Sequence, residues 1–450
     1  MQWRLTIATT LSLIAAELGI VRAQDYVPTP FYDFNNSDTS TDQQTESDLL
    51  PGYSPYLPIS YFQNQAAPNQ PAAQPGQQPQ PALRPNPQPP ANPLANMQNR
   101  RPSLARLNRA PDLFGDSFTP LTVGITGQNF DNLGVTSITG LNGNYQANVP
   151  LGAGTRRFKN EQTRALPTDR VIFIYNHFHN AIELNHVSGA GPRSDIGNVD
   201  QFTFGFEKTF GDGDWSIEAR MPFAANSDLS LDGIAVNNGT IGNLTLTLKR
   251  LLYRSEDMAL AAGLAVTSPT GNDTEFNISK GLARITIDNQ AVHLLPYVGL
   301  LMTPTDEWFV NAFAQVDVAT NPNGVTLTSN SLVAPISGDV IEQTVMYLDL
   351  SLGYWLYRSD EDEGLTGLAS VLEFHYTSTL NDAQITNLGG AGFLNVGNGI
   401  NRFDVVNMTT GIHSEWSRNT LIRTAVVVPL TNEINRFFDA EIQVSVIHRF

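Results

Sequence analysis

The chain has no cysteine, little positive charge and, after its first two dozen residues, no long apolar run. Without cysteine it can form no disulfide framework and offers no thiolate as a metal ligand or nucleophile. Lysine and arginine number 26 against 43 aspartates and glutamates, giving a formal net charge of -17, so the chain would repel the phosphates of nucleic acid. No apolar run beyond the first stretch is long enough for a transmembrane helix. We therefore expect no nucleic-acid partner and no cysteine chemistry.

The first stretch has the pattern of a secretory signal peptide. Arg4 supplies a positive charge, the residues after it are mostly apolar although Glu17 interrupts them, and the small Ala23 suits a cleavage site. We expect a signal peptide over residues 1–23 and export from the cytoplasm. A retained signal anchor is the alternative.

The next region is too polar and too rich in proline to build a packed core. About half of the 28 prolines lie in residues 51–102, mixed with glutamine, asparagine and alanine. This composition predicts a disordered, extended linker over residues 24–110 that serves as a spacer, with recognition of its proline motifs as the alternative. Five arginines near its end could contact an anionic cell-wall polymer or lipid head groups, or be solvated. They are Arg84, Arg100, Arg101, Arg106 and Arg109.

A basic segment over residues 111–170 precedes the acidic remainder of the chain. It is rich in glycine, asparagine and threonine, and its one predicted strand covers residues 121–126. Because its basic side chains are tethered beside an acidic domain, we expect part of residues 152–170 to enter that domain as a plug or constriction. A solvated periplasmic linker is the alternative. The predicted plug residues are Arg156, Arg157, Lys159, Arg164 and Arg170.

From residue 171 onward, about twelve segments alternate apolar and polar side chains over the length that a tilted membrane strand requires. They cover residues 171–179, 202–210, 214–223, 241–253, 258–268, 284–303, 308–319, 343–357, 365–379, 403–416, 419–430 and 436–450. A soluble β-sandwich also alternates, but here long and short connections follow each other in turn, as in outer-membrane barrels. The pattern predicts an all-β fold, a transmembrane antiparallel up-and-down β-barrel of about 12 strands at residues 171–450, preceded by the disordered Pro-rich tail. The even strand number places the tail and the carboxyl terminus in the periplasm.

The terminal strand identifies the class of barrel. In residues 436–450 apolar side chains recur at every second position and the chain ends in Phe450. This segment resembles the last strand of bacterial outer-membrane β-barrel proteins. The resemblance implies that the barrel-assembly machinery recognises Phe450 and that outer-membrane lipid surrounds the barrel. Residues 171–450 also resemble the twelve-strand putative outer-membrane transporters of the phenol-degradation-pathway type.

Aromatic residues near the short-turn ends of the strands predict a girdle at the lipid interface, with cross-strand pairs in a soluble sheet as the alternative. They are Trp215, Tyr253, Trp308, Tyr354, Tyr357, Trp416 and Phe437.

The strand phases place a set of charged residues on the lumen face. They are Glu207, Glu218, Arg220, Lys249, Asp317, Asp349, Glu373, Glu415, Arg423 and Glu441. We expect a channel or porin-like protein for passive or gated passage of small solutes. Because carboxylates outnumber bases on the lumen face, we expect a mild cation preference if the channel is open. The alternative is a structural envelope protein that anchors the outer membrane to the cell wall through its tail. An outer-membrane hydrolase is a minor alternative.

The histidines give no strong sign of catalysis. His177 and His179 share one strand face but lack a third ligand fixed by spacing. His375 beside Glu373, and His413 near Glu415, resemble a base with its orienting acid, yet no nucleophilic serine is marked by a motif. We expect a protein that is not an enzyme and has no cofactor and no metal.

Overall fold

The structure is a computed structural model that describes residues 106–116, 121–126, 144–149, 162–188, 191–278, 282–330, 332–388, 394–398, 401–431 and 436–450. The expected signal peptide, nearly all of the linker and the plug residues Arg156, Arg157 and Lys159 lie outside these ranges. One helical turn covers residues 106–109. In the part of the chain that is described, no helix is long and apolar enough to cross a membrane.

The described chain consists mainly of antiparallel strands. In chain order these are β1 (Leu121–Thr126), β2 (Asn144–Val149), β3 (Arg170–Ser188), β4 (Gly191–Phe210), β5 (Trp215–Ala225), β6 (Leu229–Leu231), β7 (Ile234–Asn237), β8 (Leu244–Arg254), β9 (Met258–Ser268), β10 (Thr274–Ile278), β11 (Ala283–Ile287), β12 (His293–Met302), β13 (Trp308–Ala319), β14 (Asn323–Ser329), β15 (Ile336–Val340), β16 (Val345–Arg358), β17 (Leu365–Thr379), β18 (Thr386–Leu388), β19 (Leu394–Gly397), β20 (Asp404–Trp416), β21 (Thr420–Pro429) and β22 (Ala440–Arg449).

Twelve of these strands close into the predicted barrel. Their order around the wall is β3, β4, β5, β8, β9, β12, β13, β16, β17, β20, β21 and β22, and the last strand pairs with the first. Closure is in register along the full length of β22, from Ala440 opposite His179 to Arg449 opposite Arg170. A closed antiparallel barrel satisfies every ladder within the wall and leaves no free edge, so it can cross a bilayer.

Alternation along each strand sorts side chains between the two surfaces of the wall. On β22 the outward Ile442 and Val446 are 45% and 38% exposed, whereas the inward Glu441, Gln443 and Ser445 are at most 1% exposed. Other barrel strands repeat this arrangement and present leucine, isoleucine, valine and phenylalanine outward. The outer surface is therefore an apolar belt suited to lipid, and the polar phase faces inward, as predicted.

Short turns join the barrel strands at one rim, called here the turn rim. It holds the connections at residues 211–214, 255–257, 303–307, 359–364 and 417–419. Large aromatics are exposed on the outer surface near this rim, among them Tyr253, Trp308 and Trp416, in keeping with the predicted girdle. Phe437 was wrongly included in that prediction. It precedes β22 at the opposite rim, where its ring packs 5.1 Å from that of Phe403.

The long connections at the opposite rim, the cap rim, carry further strands instead of irregular loops. Their hairpins form a six-stranded sheet in the order β15, β14, β11, β10, β7 and β6. The row β18, β19, β1 and β2 joins the end of β3. Both groups contribute to one hydrophobic core, which includes Val123, Leu184, Phe276, Ile285 and Val396. We call this packed structure the cap.

The prediction of one strand over residues 284–303 was wrong. This range contains two strands, of which β11 belongs to the cap and β12 to the barrel wall. β11 pairs with β10 and β14 in the cap, whereas β12 pairs with β9 and β13 in the wall. Between them Asn323 Oδ1 accepts hydrogen bonds from the backbone N–H groups of Gln290 and Ala291, both at 2.8 Å. Backbone N–H groups that are not paired in a strand ladder need another acceptor, and the Asn323 side chain supplies it for these two.

The strand predicted at residues 121–126 is present as β1, but it lies in the cap. β1 pairs with β19 and β2, and β2 pairs with residues 183–187 of β3. The chain before the barrel therefore reaches the cap rim, while β3 itself starts at the turn rim. The described stretches near these strands, residues 106–116 and 162–169, are largely buried against the inner wall.

Candidate functional site in the barrel lumen

The inner wall of the barrel brings the predicted lumen residues together. All ten are buried on the inward face, with at most 5% of each residue exposed. Acids and bases are mixed on β4, β5 and β8, whereas β13, β16, β17 and β20 carry only carboxylates among these ten residues. Glu207 of β4 lies 2.9 Å from Lys249 of β8, and Glu218 lies 2.6 Å from Arg220 of the same strand, β5.

Two stretches of chain fill the space inside this wall, residues 106–116 and residues 162–169. We call them together the plug. The first stretch begins at the turn rim, where Arg106 lies 3.3 Å from Asp306. One helical turn later, Arg109 donates to Glu415 at 2.7 Å and to the Thr366 carbonyl at 2.7 Å. These two arginines were assigned to the linker, where the sequence left contact with an anionic polymer or solvent open; in the structure their partners are barrel residues.

A fully buried arginine joins the wall to the plug. The Arg170 guanidinium lies 2.6 Å from Glu207, 2.9 Å from Glu218 and 2.7 Å from Asp112 of the plug. It also donates to the Gln162 carbonyl at 2.9 Å. A charge with no exposed surface is tolerated only when it is paired and hydrogen-bonded, and here three carboxylates share one guanidinium. Arg170 was predicted as a plug residue and is the first residue of wall strand β3.

Asp112 is the charged centre of the plug. Besides Arg170, its carboxylate lies 3.4 Å from Arg164 and 3.6 Å from Arg449. Its backbone carbonyl accepts a hydrogen bond of 2.5 Å from Arg423 of β21. Arg164, a predicted plug residue, also donates to two carbonyls of the first plug stretch, those of Leu107 and Asn108. Asp112 and Arg164 thus hold the two plug stretches to each other and to the wall.

The plug backbone is bound by polar side chains of the wall. Glu373 accepts hydrogen bonds from the N–H groups of Phe114 and Gly115 at 2.9 and 3.0 Å. Gln443 donates to the Gly115 carbonyl at 2.7 Å, and Asn311 donates to a plug carbonyl, that of Pro111, at 3.2 Å. Side chains from β13, β17 and β22 therefore complete the hydrogen bonding of a segment that has no regular secondary structure there.

One aromatic side chain fixes the plug at mid-wall. The Phe114 ring lies over Gly411 of β20, so close that a Cβ at residue 411 would be 2.7 Å from the ring. The Arg423 guanidinium lies on the ring at 3.9 Å from its centroid, within the range of a cation–π contact. A glycine on the wall therefore provides the space that the plug occupies.

The sequence pointed to some of the residues inside the barrel and not to others. Arg164 and Arg170, two of the five predicted plug residues, are buried inside the barrel. The stretch around Asp112, Phe114 and Asp116 was not singled out, because it has neither periodicity nor a recognised motif. The sequence feature that could have pointed to this stretch is the position of Asp112, Phe114 and Asp116 directly after the arginine-rich end of the linker.

The histidines take different positions from the metal and base arrangements considered above. His177 and His179 lie on the outward face of β3, and His177 Nδ1 lies 2.7 Å from Asp200. His413 is buried beside Trp355, with ring centroids 5.7 Å apart. His375 lies 3.4 Å from Glu373 but 2.7 Å from Asp349 and 3.4 Å from Asp116 of the plug.

Among the groups outside the membrane-spanning strands, Asp169 and Tyr145 have shifted pKa values. A hydrogen bond from Lys208, with two from Thr209, lowers the pKa of Asp169 at the turn rim. Burial in the cap, together with the nearby Asp232, raises the pKa of Tyr145 to about 12. The first pair ties the end of the plug to β4.

Fold and site together define an outer-membrane β-barrel with a polar lumen that contains residues 106–116 and 162–169 of its own chain. No family model and no curated protein matches this sequence. Its barrel is similar to an outer-membrane channel from Pseudomonas putida F1, with 13% identity, TM-score 0.40 and coverage of 65% of this chain and 100% of that chain. It is also similar to the translocator domain of the autotransporter NalP from Neisseria meningitidis, with 11% identity, TM-score 0.39 and coverage of 79% and 96%. A third similar structure is the toluene transporter TbuX from Ralstonia pickettii, with 12% identity, TM-score 0.27 and coverage of 63% and 90%. Likeness at this level concerns the barrel fold alone.

Proposed function

We propose that the protein is a gated outer-membrane channel for small polar solutes, held closed by residues 106–116 and 162–169. The observation that carries this proposal is the polarity of the wall behind the plug. A barrel that needed only a solid interior could be filled with apolar side chains, which bury without needing partners. This wall instead carries charged and amide side chains over most of its height.

The wall also carries polar atoms that the plug does not use. Buried polar atoms of Gln315, Ser351 and Ser445 have no hydrogen-bonding partner among the described residues. Leaving such a group unsatisfied costs about 1–3 kcal/mol, whereas water or a polar solute would satisfy it. These side chains suit a surface that is hydrated once the plug moves.

Some of the contacts of the plug suit release. Its hydrogen bonds and ion pairs can each be replaced by water on both partners when the lumen fills. Leu107, Phe114 and Leu166 also pack against apolar side chains of the wall. In the open channel the wall would keep its excess of carboxylates, while the bases Arg109 and Arg164 and the acids Asp112 and Asp116 would leave with the plug. We therefore retain a mild preference for cations, because lumen charge tunes selectivity.

Liposome swelling tests this function. The full-length protein and the double variant Arg109→Gln/Asp112→Asn are reconstituted and challenged with a panel of sugars and salts. Swelling should be slow with the unaltered protein and fast with the variant. Equal, background-level rates for both proteins, with each shown to be folded by its heat-dependent gel mobility, would contradict the proposal.

A second function has one observation in its favour. The cap has a packed apolar core at its rim, and a core of this kind suits a structural envelope protein anchored to the cell wall through its Pro-rich tail. Deletion of residues 25–100 separates the two functions. Loss of envelope integrity with no conductance in any variant would favour the anchor, whereas fast swelling of the double variant that survives the deletion would favour the channel.

We further infer that the turn rim, the tail and Phe450 face the periplasm. Short turns lie on that side in outer-membrane barrels. Phe450 is exposed on the outer surface and packs against Phe206 with ring centroids 6.0 Å apart. Replacing Phe450 with serine should lower the amount of folded barrel without changing the conductance of the molecules that do assemble.

A further inference from the structure

A cluster of three potential metal ligands lies where the plug meets the wall. The carboxylates of Asp116 and Asp349 and the imidazole of His375 are all buried, and their ligand atoms lie within 4.8 Å of one another. They come from three separate elements, the plug, β16 and β17. His375 Nδ1 is 2.7 Å from Asp349 Oδ1 and 3.4 Å from Asp116 Oδ1.

Both ring nitrogens of His375 have polar neighbours. Nε2 lies 2.9 Å from Thr409 Oγ1 and 3.4 Å from a carboxylate oxygen of Glu373. A carboxylate only accepts, so the contact of 2.7 Å between Nδ1 and Asp349 needs a hydrogen on Nδ1 or a metal ion in its place, whereas the Thr409 hydroxyl can donate to Nε2 or accept from it. A metal ion would displace the hydrogen from Nδ1, and Nε2–H would then face Thr409 and Glu373.

Two further polar atoms beside the cluster favour a metal ion over a proton. Asn407 donates with Nδ2 to Asp116 at 2.5 Å, while its buried Oδ1 has no donor among the described residues. Ser351, the next inward residue on β16 after Asp349, has a buried hydroxyl that is likewise without a partner in the described structure. A single proton shared within the cluster would leave Asn407 Oδ1 and Ser351 Oγ without a partner, whereas a coordinated ion can take them as additional oxygen ligands.

The distances fit a small divalent ion. Bonds of about 2.0–2.2 Å to nitrogen and oxygen place the ligand atoms of a tetrahedral ion about 3.3–3.6 Å apart. The 3.4 Å between Asp116 Oδ1 and His375 Nδ1 lies in this range, whereas the 2.7 Å between Asp349 Oδ1 and His375 Nδ1 would need to widen by about 0.6–0.9 Å. One imidazole with carboxylates is a donor set that zinc and related transition metals accept, and the Nε2–H bond to Thr409 would orient the ring.

We propose that Asp116, Asp349 and His375 bind one divalent transition-metal ion that ties the plug to the barrel wall. One ligand belongs to the plug and two belong to the wall, so the ion can bind all three only while the plug is in place. Metal binding then stabilises the closed barrel by linkage. The proposal that the ion regulates conduction rests on the channel function proposed above. The proposal that the site binds an ion does not.

Metal titration of the full-length barrel tests the site without reference to transport. The detergent-solubilised protein is treated with a chelator, and Co²⁺ is added while its visible absorption is recorded. Zn²⁺ is then added to displace it. We expect one equivalent per chain. Asp116→Asn and His375→Gln should each weaken binding by more than about 100-fold, since even partners beyond the ligands cost about 10–100-fold.

A matched control separates ligand loss from disturbance of a buried histidine. His293 is also buried and lies 2.7 Å from an aspartate, Asp317, on neighbouring wall strands. His293→Gln should therefore keep one equivalent at unchanged affinity. Absence of stoichiometric Co²⁺ uptake by the unaltered protein, or equal affinity in Asp116→Asn, would overturn the proposal and leave a proton as the cation.

Hydrogen exchange tests the tie itself. The N–H groups of Phe114 and Gly115 are bound to Glu373 only while the plug is seated. Added Zn²⁺ should slow their exchange in the unaltered protein and leave Asp116→Asn unchanged. Metal uptake with no change in exchange would overturn the link between plug and wall. Neither readout depends on conduction, so failure of the channel function would be distinguishable.

Discussion

Asp112 is the residue whose charge the closed state needs most, and Asp112→Asn should release the plug. Its carboxylate is buried among Arg164, Arg170 and Arg449. Removing one partner of a buried ion pair costs about 3–5 kcal/mol. Because Arg170 keeps Glu207 and Glu218, we take the lower value. About 3 kcal/mol corresponds to a shift of roughly 100-fold toward the open state.

The effect would be measured as open probability in planar bilayers and as exchange of the plug amides. Both should rise together, because the same displacement frees the lumen and the N–H groups of Phe114 and Gly115. Asp306→Asn is the matched control. It removes another ion pair of the plug, with Arg106, but the Asp306 side chain is 71% exposed, so its loss should cost less than about 1 kcal/mol. Equal effects of the two substitutions, or a folded Asp112→Asn barrel that stays closed, would refute this reasoning.

Three other outcomes follow from the same structure. Gly411→Val should open the channel by displacing the Phe114 ring, as single-channel recording would show; an unchanged closed fraction would contradict the packing. The lowered pKa of Asp169 means that its contact with Lys208 contributes stability above the ordinary carboxyl pKa, and that this is lost as pH falls through the lowered value. The difference in unfolding temperature between the protein and Asp169→Asn should therefore shrink on acidification, and a constant difference would argue against it. Reversal potentials in a salt gradient should show cation preference in the opened channel and a smaller one after Glu441→Gln; anion selectivity would show that the plug or the face assignment is wrong.

Much of the barrel could be predicted from the sequence because its signal is local. Alternation with period two determines which side chains share a face. An error of one residue in the phase of a strand would have placed carboxylates such as Glu207 and Glu441 on the lipid face. The closed barrel of 12 strands and the inward position of the lumen charges follow from this pattern. Phe437 shows its limit, since an aromatic belongs to a girdle only if its strand end is at the correct rim.

The cap and the plug could not be predicted in the same way, because their order depends on distant partners. Strands β6 and β18 have three residues each, too short for a period to be recognised. β11 alternates like a barrel strand and differs only in what it pairs with. The plug around Asp112 has no period at all, and its conformation is set by side chains that follow it by 250 residues or more, such as Glu373 and Arg423.

The central claim is that conduction runs through the polar lumen and that the plug closes it. Gln315 offers the most direct test, because it is buried on the inner wall and the chain has no native cysteine. Gln315→Cys is introduced into the Asp112→Asn background, and a charged, water-soluble thiol reagent is applied during single-channel recording. The account predicts a rapid loss of current in this background and no reaction when Asp112 is intact. Current that persists after the thiol has been fully modified would contradict it.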